Sequence, residues 1–237
     1  MQQSDLIIAV FKFVLLIFSL CVHECAHAWT ASRLGDQTAR MEGRITLNPM
    51  YHVDPIGTLL FPALMIFGPF IGLSWFGGML VGWAKPTPVI TRNFRRIVRD
   101  DNLTTLAGPA SNLLLVLAAL LILVINVKML PNGNSVVLDS FFAAFGPVEG
   151  VTPQPLVVLC ALTILINLCL CVFNLFPIPP LDGSRIVRNM LPYNAVQVYD
   201  RVPIWVSYLL MICVGGTVIW AFVNPALELV IWTLMHV

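Results

Sequence analysis

The sequence predicts an all-α polytopic membrane protein, with about five to six transmembrane helices and a short re-entrant or β-strand element near a polar site. Three observations carry that expectation. Of 237 residues, 58% are hydrophobic and 11% charged, more apolar side chains than one water-soluble core can hide. The apolar residues gather in five long runs, each near or beyond the ~20 residues that cross a bilayer as a helix. The charges cluster in the linkers between those runs. A net charge of +1 gives no basic surface for nucleic acid, so no nucleic-acid partner is expected.

The runs follow in order. Residues 6–29 form the first; the stretch before them lacks a basic leader, and the run is read as a retained span. Residues 56–83 form the second. It is too long for one simple helix and is interrupted by Gly68-Pro69 and Gly77-Gly78, which predict a helix followed by a re-entrant or strand-like return. Residues 103–130, 156–176 and 204–222 are the third, fourth and fifth, and Pro225 is expected to set off a short apolar tail. No repeat or long soluble insertion divides the chain, so residues 1–237 are expected to be a single integral membrane domain. The six cysteines lie in or beside apolar runs without a C-x-x-C pair and read as reduced packing residues.

Linker charge predicts orientation. Residues 33–44, 85–99 and 185–201 are basic, whereas residues 131–155 carry no Lys or Arg. The positive-inside rule then places the three basic linkers in the cytoplasm and the N-terminus outside. The second run therefore crosses twice or dips and returns. Non-helical backbone at that depth survives only where protein or a water-filled cavity satisfies it.

The first run ends in His23-Glu24-Cys25-Ala26-His27, an H-E-x-x-H pattern. On a helix, side chains four apart share a face, so His23 and His27 can grip one Zn2+ ion. Glu24 falls on the flank, within reach of a water but outside the ligand set, where it can take and return a proton. Ionisable groups are costly in a bilayer and mark function when they occur there. A third ligand is needed, and Asp182 is the best candidate. It follows an apolar run at the same depth, after Pro177, Pro179 and Pro180 have broken the helix, and Gly183 permits a tight turn. Taken alone, Asp182 can simply cap a turn. Asn174, eight residues earlier, can donate to a developing oxyanion or merely bridge two helices. Asn112, after Ala107-Gly108-Pro109, can hydrogen-bond near the metal helix or support the site but reads mainly as packing, and His52 and Asp54 read as loop anchors, with a second metal site as the remote alternative.

At these residues the chain resembles the site-2 protease family of intramembrane zinc metalloproteases. H-E-C-A-H is similar to its first motif and N-L-F-P-I-P-P-L-D-G, residues 174–183, to its second. Residues 43–49, 52–57, 82–86 and 107–112 also resemble smaller bacterial members. The resemblance implies His23, His27 and Asp182 as zinc ligands and Glu24 as catalytic acid/base. It implies a transmembrane segment of another protein as substrate, as in regulated intramembrane proteolysis. The compact form leaves no room for the PDZ or CBS domains of many relatives and suggests a prokaryotic plasma membrane. The active site is expected toward the cytoplasmic side.

A substrate helix must unwind before its peptide bonds are open to water, and an enzyme edge can hold the extended backbone. Residues 41–47 and 81–90 are the two segments that can supply it; Pro86 and Pro88 are tolerated on an edge. The alternative function is a metal transporter or sensor, whose polar residues would line a path. No inverted repeat or second ligand cluster supports it. Oligomeric state is not legible.

Overall fold

The computed structural model describes residues 3–73 and 83–237. It is all-helical there, and no strand forms among the described residues. Four helical stretches are long and apolar enough to cross a membrane: Asp5–Leu34, Ile97–Met129, Pro155–Asn174 and Ile204–His236. These four are counted among the described residues and account for four of the about five to six spans expected. The expected return within residues 56–83 falls partly on residues 74–82, outside the described residues.

Helix α1 (Gln3–Leu34) contains the first apolar run whole. The short α2 (Thr38–Met41) follows. Asp54 then caps the next helical turn, its Oδ1 accepting from the N–H groups of Ile56 and Gly57 at 3.0 and 2.7 Å. That turn, Pro55–Leu60, widens to π geometry and leads into α3 (Phe61–Phe67). His52 is also an anchor, its Nε2–H donating to the Thr46 carbonyl at 2.8 Å.

Helix α4 (Ile97–Met129) is the centre of the bundle and packs mainly on α1 and on α6 (Pro155–Asn174). The contacts pair His27 with Thr104 and His23 with Asn112, so α1 and α4 run antiparallel. Helix α5 (Gly133–Ala143) caps the far end. Helices α7 (Asp182–Met190) and α8 (Tyr193–Tyr199) follow the proline-rich turn. Helix α9 (Ile204–Leu210) passes through a π turn, Met211–Gly215, into α10 (Gly216–His236).

Pro225 lies inside α10 and does not end it, contrary to the expected break. One missing N–H is tolerable in a span when neighbouring helices and local adjustment satisfy the freed backbone. The expected apolar tail is therefore part of the last span.

The bundle divides by depth. Leu123, Val137, Phe141, Leu162, Ile164, Ile219, Val223 and Leu234 form a dry core around the second half of α4. The early half of α1 joins it through Ile8, Phe11 and Leu15. The other end of the same α1–α4 seam carries the polar groups. There Ala28 and Ala31 are wholly buried, and small residues allow the close approach on which helix association in lipid depends.

Among the described residues, neither expected edge segment forms a strand. Residues 41–47 turn, and residues 83–90 run without regular structure. Four of the amides of residues 83–90, those of Trp83, Lys85, Thr87 and Ile90, are spent on the protein itself. Trp83 N–H donates to the Gly57 carbonyl and Lys85 N–H to the His52 carbonyl, at 3.2 and 2.8 Å. Ile90 N–H donates to Asp36 Oδ2 at 2.6 Å.

Candidate metal centre

His23 and His27 lie on the buried face of α1, 3% and 7% exposed. Their Nε2 atoms are 3.0 Å apart. Asp182 Oδ2 sits 3.1 Å from His23 Nε2 and 3.2 Å from His27 Nε2. Residues more than 150 positions apart thus present three donor atoms to one point. These separations are close to the ~3.3 Å between ligand atoms around a tetrahedral ion with bonds of about 2.0 Å.

The surroundings show why this arrangement suits a cation. His27 Nδ1 is 2.7 Å from the Thr104 carbonyl, a group that only accepts, so Nδ1 carries the hydrogen and Nε2 presents a lone pair. Asp182 Oδ2 is buried and has no donor other than these imidazoles. Lone pairs converging in a buried space repel unless a positive ion lies among them. Two imidazoles and a carboxylate form a donor set that fits zinc. Among the described residues, His23, His27 and Asp182 are the group of metal-ligating side chains gathered this way.

Gly108 makes room for the rings. A Cβ there would overlap His27 Nε2 and lie 2.6 Å from His23 Nε2. Pro109, next in α4, removes a helical donor from this turn. Asn112, fully buried, places its amide 3.3 Å from His23 Nδ1. Its Nδ2 faces the ring while its Oδ1 has no partner. A half-turn of the amide sets Oδ1 against an Nδ1–H, satisfying the buried oxygen and leaving His23 Nε2 free for a metal. Of the two readings of Asn112, the contact with His23 favours support of the site over packing alone.

Asp182 is not on irregular backbone, as the prolines suggested, but is the first residue of α7. A carboxylate suits that end of a helix dipole. At Gly183 a Cβ would overlap the Leu175 carbonyl, so only glycine lets α7 fold back against the end of α6. Arg185 and Asn189 of α7 both reach Asp101 of α4, fixing α7 against the helix that backs the histidines.

Glu24 is half-buried. Its Oε2 accepts from Thr87 N–H at 3.0 Å and from the Thr87 hydroxyl at 2.7 Å. Asn174 ends α6, and its Nδ2 donates to the Leu170 carbonyl one turn earlier at 2.9 Å. It makes no hydrogen bond to His23, Glu24, His27 or Asp182. Thr87 and Thr104 were not singled out by the sequence. Thr104 acts through its backbone carbonyl, which no side-chain pattern encodes; Thr87 was visible only as part of a proline-flanked segment.

The class defined by this fold and site is an integral membrane protein with a metal-hydrolase donor set. The chain belongs to peptidase family M50, whose model matches residues 11–214. It is similar to a protein of Bacillus subtilis (strain 168) named "Putative zinc metalloprotease YwhC", 37% identical over 183 residues, 76% of this chain and 68% of that one. It is also similar to proteins named "Putative zinc metalloprotease Rip2". That of Mycolicibacterium smegmatis is 37% identical over 114 residues, 46% of this chain and 39% of the relative. That of Mycobacterium tuberculosis (strain Erdman) is 28% identical over 215 residues, 87% and 70%. No solved structure matches the chain with significance. Family membership leaves the transporter or sensor reading without support.

Proposed function

We propose that this chain is an intramembrane zinc endopeptidase that hydrolyses peptide bonds in or near transmembrane segments of other membrane proteins. The observation that carries the reading is the meeting of His23, His27 and Asp182 inside an apolar helical bundle, with Glu24 on the same helix as the two imidazoles. Membership of peptidase family M50 and relatives named as zinc metalloproteases support it.

His23, His27 and Asp182 would hold one Zn2+ ion. When bound, such an ion polarises a carbonyl and brings the pKa of a coordinated water to about 7. Glu24 is the acid/base. A water loses a proton to its carboxylate, the water oxygen bonds the scissile carbonyl carbon, and the proton passes to the amine nitrogen as the C–N bond breaks. Asn174 keeps a second amide hydrogen beyond the one given to Leu170, and that hydrogen is the proposed donor to the developing oxyanion.

The substrate backbone is held extended along residues 83–90, within one of the two segments expected to supply the clamp. Prolines 86 and 88 have no N–H, and the amides of residues 83, 85, 87 and 90 are already used, so this edge offers mostly carbonyl acceptors. The whole chain acts as one integral membrane domain. The site opens toward the cytoplasmic side of a prokaryotic plasma membrane, as linker charge and bacterial relatives support.

The test is co-expression with candidate single-span membrane proteins. Wild type should convert a precursor to a shorter fragment, whereas Glu24→Gln should retain zinc and accumulate the precursor. Full processing by Glu24→Gln would refute the mechanism.

A further inference from the structure

We propose that Thr87 is a positioning residue that holds Glu24 by one oxygen and leaves the other for proton transfer. The inference deepens the endopeptidase reading and rests on it. Three observations lead to it.

The first is the contact itself. Both donors of Thr87 reach the same atom, Glu24 Oε2: the backbone N–H at 3.0 Å and the hydroxyl at 2.7 Å, the hydroxyl lying farther, at 3.1 Å, from the Glu24 backbone carbonyl. Glu24 Oε1 makes no hydrogen bond among the described residues. A free glutamate side chain loses on the order of 1.5–2 kcal/mol of rotamer entropy when ordered. Two donors on one oxygen, with charge-assisted bonds, fix its torsions in advance.

The second is that the donor is rigid. Thr87 lies between Pro86 and Pro88. Each proline fixes its own φ, and Pro88 excludes helical backbone at Thr87. Within these three residues Thr87 carries the sole N–H, and that N–H is aimed at the carboxylate.

The third is that the segment is also anchored at other points. Trp83, Lys85 and Ile90 already anchor the segment through their own N–H groups. The Thr87 contacts join it to α1 at Glu24 itself, where they determine how the Glu24 carboxylate stands. Glu24 Oε1 is then the atom that receives the proton of water and returns it to the amine, while Oε2 stays bound to Thr87 throughout. Because the same segment is proposed to bear the substrate, one short piece of backbone sets the base and the scissile bond relative to each other.

The experiment compares purified wild type, Thr87→Val, Thr87→Ser and Thr87→Ala. The probe is a quenched fluorogenic peptide of about twenty apolar residues with a central glycine pair, chosen for cleavage by wild type. Valine keeps the branched shape and loses the hydroxyl, so kcat should fall about 10-fold or more, with KM within about twofold and zinc content unchanged. Serine keeps both donors and should restore kcat to within about threefold. Alanine serves the same comparison should the valine variant fail to fold. A rise in KM with kcat intact would overturn the proposal in favour of a substrate contact. A serine variant as impaired as valine, or loss of zinc in either, would overturn it in favour of packing. Wild-type kcat in both valine and alanine variants would overturn it outright. The endopeptidase reading is tested separately: full activity of Glu24→Gln would defeat that reading, whereas an inactive Glu24→Gln beside a fully active Thr87→Val would defeat this inference alone.

Discussion

Adding one methyl group at Gly108 should weaken zinc binding at the proposed metal centre. In Gly108→Ala the new Cβ would overlap His27 Nε2 and lie 2.5 Å from His23 Cε1 and 2.6 Å from His23 Nε2. Relieving the longest of these contacts requires about 0.9 Å of movement, since non-bonded heavy atoms settle near 3.5 Å. Two escapes exist, and each is costly. Moving α4 away carries Thr104 with it and stretches the 2.7 Å bond from His27 Nδ1. Rotating the rings breaks that bond and the Asn112 contact, and turns the Nε2 atoms from Asp182. Alanine is otherwise a better helix residue than glycine by about 0.8–1.0 kcal/mol, so helix propensity predicts no loss of folding. The expected result is a folded protein whose zinc affinity falls about 10- to 100-fold and whose cleavage rate falls about 100-fold. Zinc affinity is read by competition with a chromogenic chelator, folding by thermal melting, and cleavage with the fluorogenic peptide. Ala110→Ser, on the exposed side of α4, is the control and should match wild type. Wild-type zinc affinity and cleavage in a folded Gly108→Ala would refute the reasoning.

Two further outcomes are expected. Asn112→Leu should weaken zinc binding about 10- to 100-fold by chelator competition, and Asn112→Asp, which keeps an acceptor for His23 Nδ1–H, should lose much less; equal losses would count against the turned amide. Asp36 ties α1 to the 83–93 region. Burial works against its charge, but donors from Thr38, Asn93 and Ile90 hold its carboxyl below the usual carboxylate range. A depressed folded value gives stability that is present above the unfolded value of about 3.9 and is lost as pH falls through the lower folded value. Asp36→Asn should therefore melt below wild type at neutral pH, with a deficit of about 1–3 kcal/mol that shrinks on acidification toward pH 3; a deficit independent of pH would contradict this.

How much was legible in advance differs by residue. The four long apolar stretches could be found by length and composition, because a bilayer demands both. The histidine pair was readable because helical periodicity alone sets two side chains four apart on one face. Asp182 was selected by depth and proline context, yet its place at the start of α7 was not foreseen. That position depends on Gly183 passing the Leu175 carbonyl and on Asp101 receiving Arg185, contacts between distant parts of the chain. Pro225 misled, since its local tendency to end a helix is overridden where neighbouring helices and local adjustment accommodate the freed backbone. The strand expected near the site did not form among the described residues; the N–H groups of Trp83, Lys85, Thr87 and Ile90 found side chains and carbonyls of their own protein instead.

The amino-acid order alone determined the solvent this protein folds in and the residues able to grip a metal, because hydrophobic length and helical period are local properties. The tertiary structure alone decided which atoms support that grip. The Thr104 carbonyl, the Asn112 amide, the space at Gly108 and the two donors of Thr87 come from segments 63 to 89 residues from their partners. Hydrogen bonds reach only about 3 Å, so whether such groups meet is settled by how the helices pack, not by how they are spaced along the chain.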